Sequence, residues 1–233
     1  MHPIVIVLAV IATVAIAAFV LLGNRKRANV REELEAVCTE NGWSFGVGTD
    51  DTGHVRITTI SARSAPWSVE EHFSANSESV ATSRWTTWTD PTVAIPSGLA
   101  VMNLALESGR AADMERFLDK MGSGVMEKHM VKTFFGAIGE GVHDLEAVSM
   151  ENAKGLIMAT PDARDALEPI AHSEALEGRK VAMPKGANPT LILSPKGLQL
   201  RLADTLGSGA QLSELVQLGQ TLSAALSDAR GGA

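Results

Sequence analysis

Apolar and polar positions along this chain follow three different patterns, and each predicts a different kind of element. Ile4 to Leu22 is unbroken: nineteen consecutive residues lack a charged side chain, and Arg25-Lys26-Arg27 follows close behind. At ~1.5 Å per residue the run spans roughly 28 Å as a helix, close to the ~30 Å hydrocarbon core of a bilayer, which predicts a transmembrane anchor with a basic stop. From Asn29 to Asn41 the period is helical. Val30, Leu34, Val37 and Cys38 share a face, Arg31 and Glu35 form an i,i+4 pair, and Asn41-Gly42 supplies a stop. The pattern then changes to strand-like alternation over Trp43 to Val47, Val55 to Ser61, Trp67 to Phe73 and Val80 to Trp88, separated by turn-forming residues. In the last of these, Val80, Thr82, Arg84, Thr86 and Trp88 share one face and Ala81, Ser83, Trp85 and Thr87 the other, so neither face is simply apolar.

Pro91 to Gly98 reads as a loop and Leu99 to Leu106 as a buried strand. Two helices, Ala111 to Met121 and Val125 to Ile138, are expected on either side of Gly122-Ser123-Gly124, with further strands at Leu145 to Ser149 and Gly155 to Thr160. Thr160-Pro161-Asp162 has the residues of a helix start, and the helix is expected to end near Pro169. Thr190 to Ser194 and Leu198 to Leu202 flank Pro195-Lys196-Gly197, in which proline presets φ and glycine accepts a positive φ, so they predict a hairpin. Ser208-Gly209-Ala210-Gln211 fits a capping box ahead of a final helix whose face carries Leu212, Leu215, Val216, Gly219, Leu222 and Leu226. Strands early, helices in the middle and a hairpin followed by an amphipathic helix make an α+β domain with an antiparallel sheet. A small barrel closed by the terminal helix, as in pleckstrin-homology-like folds, fits the ending but not the helical insertion. The expected divisions are an anchor with its stop over 1–27, the α+β domain over 28–227 and a disordered tail over 228–233.

The flanking charges orient the anchor. Only Met1, His2 and Pro3 precede the run, whereas Arg25, Lys26, Arg27 and Arg31 crowd its far end, and cationic flanks stay cytoplasmic. The expected address is therefore a bacterial inner membrane, N-terminus out and domain in the cytoplasm, which suits a chain with one cysteine, Cys38. Ala15-Ile16-Ala17 has the spacing of a signal-peptidase site. The uncharged N-terminal region, the apolar residues beyond that site and the position of the basic cluster oppose cleavage. Within the anchor, Ala9, Thr13 and Ala17 recur every fourth residue, a small-residue face that lets two helices approach closely.

Setting aside Arg25, Lys26 and Arg27 leaves 17 basic against 27 acidic residues, a net charge of −10 for the soluble part. Such a domain is repelled by nucleic acid and, taken as a whole, by an anionic leaflet, so the expected partners are the membrane through the anchor and a protein in or at it. Chemistry-bearing groups are sparse. Cys38 lies on the apolar face of its helix, where a small core hydrophobe is the expected role, and no G-x-S-x-G occurs. Gly136, Gly139 and Gly141 follow a helix, not a strand, and so do not make a phosphate loop. Glu70-Glu71-His72, His143-Asp144 and His172 with Glu174 match no metal-ligand spacing, so neither a metal nor another cofactor is expected. Asp50-Asp51 and Glu70-Glu71 are adjacent carboxylates, for which solvated turn and strand-end positions are the ordinary reading. The helix over 125–138 is Met- and Phe-rich and locally basic: Met126, Met130, Phe134 and Phe135 with Lys128 and Lys132 suit a partner groove or a membrane interface, while an ordinary core helix with a lysine-bearing exposed edge is the favoured reading.

The anchor with Arg25-Lys26-Arg27, the junction Glu40-Asn41-Gly42-Trp43-Ser44-Phe45, the strand with Ser83-Arg84-Trp85 and the hairpin Leu193-Ser194-Pro195-Lys196-Gly197-Leu198 resemble a loose group of bacterial single-pass membrane-anchored proteins with no assigned activity. The resemblance implies a layout and no site residue. The expected function is a noncatalytic one: a single-pass inner-membrane protein whose acidic cytoplasmic domain binds a protein partner, as an accessory or assembly factor of a membrane complex. The alternatives are a membrane-tethered domain for a small or lipidic ligand, with the Trp-bearing sheet as pocket wall, and a membrane-anchored hydrolase.

Overall fold

The computed structural model describes residues 25, 27–51, 55–75, 82–104, 145–176 and 189–231. The expected anchor, its packing face Ala9, Thr13 and Ala17, and Lys26 of the stop lie outside these residues, as do both helices over 111–138 with Met126, Lys128, Met130, Lys132, Phe134 and Phe135. No helix among the described residues is long and apolar enough to cross a membrane.

The first described element is helix α1, 27–40, whose stripe places Leu34 and Cys38 in the core with Val30 and Val37 packed beside them. Its exposed side carries the Arg31–Glu35 pair at 3.0 Å, and it ends as expected, with Asn41 capping the Val37 carbonyl through both its backbone and side-chain amides. Strands β1 (Trp43–Thr49), β2 (Val55–Ala62), β3 (Ser68–Ala75) and β4 (Thr82–Asp90) then form an antiparallel meander. After a single 3₁₀ turn, Pro91–Val93, come β5 (Ala100–Asn103), β6 (Glu146–Val148), β7 (Leu156–Ala159) and the hairpin β8 (Thr190–Ser194) and β9 (Gly197–Leu202).

All nine strands among the described residues join one antiparallel sheet in the order β1-β2-β3-β4-β9-β8-β5-β7-β6. The hairpin is thus inserted between β4 and β5, and its turn has Gly197 at φ +105 as the Pro-Lys-Gly spacing requires. The sheet is open, with β1 and β6 as its edges among the described strands, so the barrel alternative is not adopted. The two halves of the sheet differ in burial. In β5, β7 and most of β8 every residue is buried, which matches their continuous apolar runs. The meander alternates instead, and in β4 Thr86, Trp88 and Asp90 are buried while their neighbours are only half-buried.

Helix α2 (Gly209–Gly231) lies across β4 and β9 and buries the predicted stripe together with Gly209, Leu218 and Ser223. Its start departs slightly from a capping box. The Gln211 amide donates to Ser208 Oγ at 3.3 Å, but the Gln211 side chain accepts from Gly207 N at 2.6 Å, one residue earlier than the motif implies. Gly219 lets the helix approach the sheet: a Cβ there would fall 2.6 Å from Trp88 Cζ2, and Trp88 has no exposed surface. The helix continues through residues assigned to a tail. Arg230 Nη1 donates to the carbonyls of Val93 and Ala94 at 2.8 and 2.9 Å, which fastens the last turn after the apolar stripe has ended.

The helix expected from Thr160 is broken. Pro161–Ala163 is a 3₁₀ turn, 164–167 are turn residues, and only Glu168–Ala171 is α-helical. Thr160 makes no capping bond because its hydroxyl is otherwise engaged: it donates to Asp162 Oδ1 at 2.6 Å and accepts from Leu99 N at 3.0 Å. A helix-start signal was spent on joining two loops.

Candidate anion-binding groove

Alternation along the meander decides which side chains meet. Register pairs Arg56 with Phe73, Thr58 with Glu71 and Phe73 with Arg84, so these five project from one face of β2, β3 and β4. The same face carries Phe45 on β1, and α1 lies over it, contributing Arg27, Val30, Arg31 and Leu34. Residues 204–207, following β9, close the remaining side. Leu206 N donates to Glu71 Oε1 at 2.7 Å, and Thr86 Oγ1 donates to the Asp204 carbonyl at 2.8 Å, so the loop is pinned to the sheet. The result is a groove of about 350 Å³.

Its walls are apolar and cationic. The guanidinium of Arg27 lies 4.7 Å from the centre of the Phe73 ring and that of Arg84 5.3 Å, while Arg31 lies 5.9 Å from the Phe45 ring. Arg31 is also paired to Glu35, and Arg84 approaches Asp204 at 3.9 Å. Neither Arg27 nor Arg56 has a carboxylate in ion-pair contact among the described residues. Glu71 is the acidic group of the floor. Burial pushes its carboxyl above the ordinary range, only partly offset by hydrogen bonds from Leu206 N and Thr58 and by the Arg56 charge, while Asp204 adds to the rise. Four arginines against Glu71 and Asp204 make the groove net positive in a domain that is otherwise strongly acidic.

The remaining sequence candidates do not converge. Glu70 and Glu71, adjacent in the chain, point to opposite faces of β3, so they are not a carboxylate pair, and Glu71 is not the solvated residue expected. On the opposite face His72 stacks on Trp85 at 4.7 Å with Arg201 5.3 Å from the Trp85 ring, and His72 Nε2 lies 3.4 Å from Glu70. Asp50 accepts from Val55 N at 3.0 Å, which is turn chemistry, and Asp51 is exposed. His172 and Glu174 are exposed, and no cluster of three metal-ligating groups occurs among the described residues. His143-Asp144 and Gly136, Gly139 and Gly141 lie outside them. Of the cluster expected as a basic stop, Arg25 is an exposed helical residue and Arg27 enters the groove.

No family model, no curated protein and no solved structure matches this chain.

Two buried polar groups complete the description. Burial, reinforced by the Glu35 carboxylate, pushes the Cys38 thiol up to about 11, which makes it a core residue and a poor nucleophile. Burial also pushes the Asp90 carboxyl up, but hydrogen bonds from Ser223, the Thr92 hydroxyl and Thr92 N outweigh it and hold the group below the ordinary range. Ser223 Oγ donates to Asp90 at 2.5 Å inside the core, so the pair joins α2 to β4. Arg56, Arg84, Phe45, Phe73 and Glu71 were not read from the sequence as a site. The signal was a shared parity across four strands, which becomes visible only once register is known. No tryptophan lines this groove: Trp67 and Trp88 are in the core, Trp43 packs edge-on against Trp67 at 5.0 Å, and Trp85 faces away from the groove.

Proposed function

We propose that the chain is a single-pass protein of the bacterial inner membrane, N-terminus out, whose acidic cytoplasmic domain is a noncatalytic binding module for a protein partner, as an accessory or assembly factor of a membrane complex. The observation that carries this reading is strand β1. Residues 43–49 contain no charged side chain and no proline, they form a sheet edge among the described strands, and Val47 is an exposed large apolar side chain, 39% accessible. Edge strands in monomeric proteins are ordinarily blunted by charge or proline, and an unblunted one accepts an extended segment through its free backbone groups. The edge follows α1 directly in the chain.

The test is capture of the tagged full-length chain in gentle detergent. Specific co-purifying membrane subunits that are lost from Val47→Lys, a variant that charges the edge without touching the core, support the reading. A monodisperse monomer, or capture that Val47→Lys leaves unchanged, counts against it. Protease accessibility in spheroplasts tests the orientation, and digestion of the domain from outside would overturn it.

A second reading, a membrane-tethered domain for a small or lipidic ligand, is favoured by the arginine-lined groove. A membrane-anchored hydrolase would need a nucleophile beside a base in an open cleft; Ser223 and Cys38 are both buried.

A further inference from the structure

We propose that the groove between α1 and the β1–β4 face binds the phosphate-bearing headgroup of an anionic phospholipid; this deepens the second reading and rests on it. Three features of the groove select this chemistry. The first is a local reversal of charge. A domain that, with Arg27 counted, holds 18 basic against 27 acidic residues, a net charge of −9, brings Arg27, Arg31, Arg56 and Arg84 from three separate elements to one concavity, against the repulsion they exert on each other. Glu71 and Asp204, the two carboxylates lining the groove, do not balance four guanidiniums, and although Glu35 pairs with Arg31 and Asp204 approaches Arg84, no such pair engages Arg27 or Arg56 among the described residues.

The second feature is the choice of cation. All four are arginine, although the chain also contains lysines, and the planar guanidinium fork matches phosphate oxygens in a bidentate way that an ammonium does not. Two of the guanidiniums, Arg27 and Arg84, are held over the same Phe73 ring, so they are partly pre-positioned. The third is amphipathy and place. Phe45, Phe73, Val30 and Leu34 give the groove an apolar lining suited to the glycerol backbone and first methylenes of a lipid, and about 350 Å³ accommodates a headgroup, not a whole molecule. Arg27 closes the basic stop, so the groove opens where the chain leaves the proposed anchor. A basic mouth on an acidic domain turns this side toward an anionic leaflet and the remainder away from it.

Phosphate could also come from a soluble ester, and the experiment separates the two sources. Full-length protein in a nonionic detergent is titrated calorimetrically with dioctanoylphosphatidylglycerol, dioctanoylphosphatidylcholine and glycerol 3-phosphate. Saturable binding of the phosphatidylglycerol alone is expected. Arg56→Gln and, independently, Arg27→Gln should each weaken it about tenfold, as expected for loss of one charge-assisted hydrogen bond. Arg164→Gln, an exposed site outside the groove, should leave it unchanged. Equal binding of glycerol 3-phosphate would overturn the lipid assignment while leaving the tethered-binding reading standing. Absence of binding by all three probes, or binding that neither groove variant weakens, would overturn both. Capture of a partner through β1 would be unaffected by either result.

Discussion

Substituting Gly219 by alanine measures how closely α2 sits on the sheet. In an ordinary helix interior this change stabilises by about 1 kcal/mol, because glycine loses more backbone entropy on folding. Here the new Cβ would lie 2.6 Å from Trp88 Cζ2 and nearer still to Cε2 and Cδ2 of the same ring, whereas carbon atoms pack best at about 3.5–4.0 Å. Either the helix lifts by about an ångström or the indole of Trp88, fully buried, must turn within the core. Overpacking of this kind costs about 1–3 kcal/mol. Lifting α2 would also loosen Leu215, Leu222 and Ser223 against the sheet, so the upper part of that range applies, leaving a net loss of about 2 kcal/mol. For a chain of this size that corresponds to a fall in Tm of about 4–8 °C. The assay is urea and thermal unfolding of the full-length protein in mild detergent, followed by far-ultraviolet circular dichroism. A partner experiment isolates the contact: in a Trp88→Leu background, which opens space at the same point, Gly219→Ala should regain its ordinary stabilising effect. A Gly219→Ala protein more stable than the parent would refute the seating of α2 on Trp88.

Glu71→Gln keeps an acceptor for Leu206 N but removes a carboxylate whose folded-state pKa is raised. A raised pKa means that the folded state favours the protonated acid below the unfolded value near 4.5 and is penalised as pH rises through the higher folded value. The variant should therefore gain stability at pH 7 and lose that advantage near pH 4, and an equal effect at both would contradict it. Arg230→Ala should free the last turn of α2, costing about 1 kcal/mol and speeding amide exchange at residues 227–231; unchanged protection would show that Arg230 does not hold the helix end. The Cys38 thiol should resist a maleimide at pH 7.5 in the folded protein and react on unfolding, since it is buried and pushed up to about 11. Rapid labelling under native conditions would place it at the surface.

Local periodicity and turn chemistry were enough to place most of the described elements. The apolar spacing of Val30, Leu34 and Cys38, the alternation from Trp43 to Trp88, the Pro195-Lys196-Gly197 turn and the leucine stripe of α2 each reflect forces acting over a few residues: side-chain direction, φ preference and burial of one face. Where such a signal failed, a distant partner had taken the group. Thr160 joins Leu99 and Asp162 in place of capping a helix, and Arg230 reaches back to residues 93 and 94 and orders a turn that its own neighbours would leave to fray. Net acidity, the uncharged run over 4–22 and the Arg25-Lys26-Arg27 cluster were likewise present in the sequence itself. The groove was not, because nothing local relates Arg27 to Arg56, Arg84 or Glu71. Their convergence depends on strand register and on α1 crossing the meander, and register is chosen by which apolar faces can be buried together across the whole sheet. Sequence thus determined the elements and the charge; tertiary packing decided that four arginines of an acidic domain meet in one place.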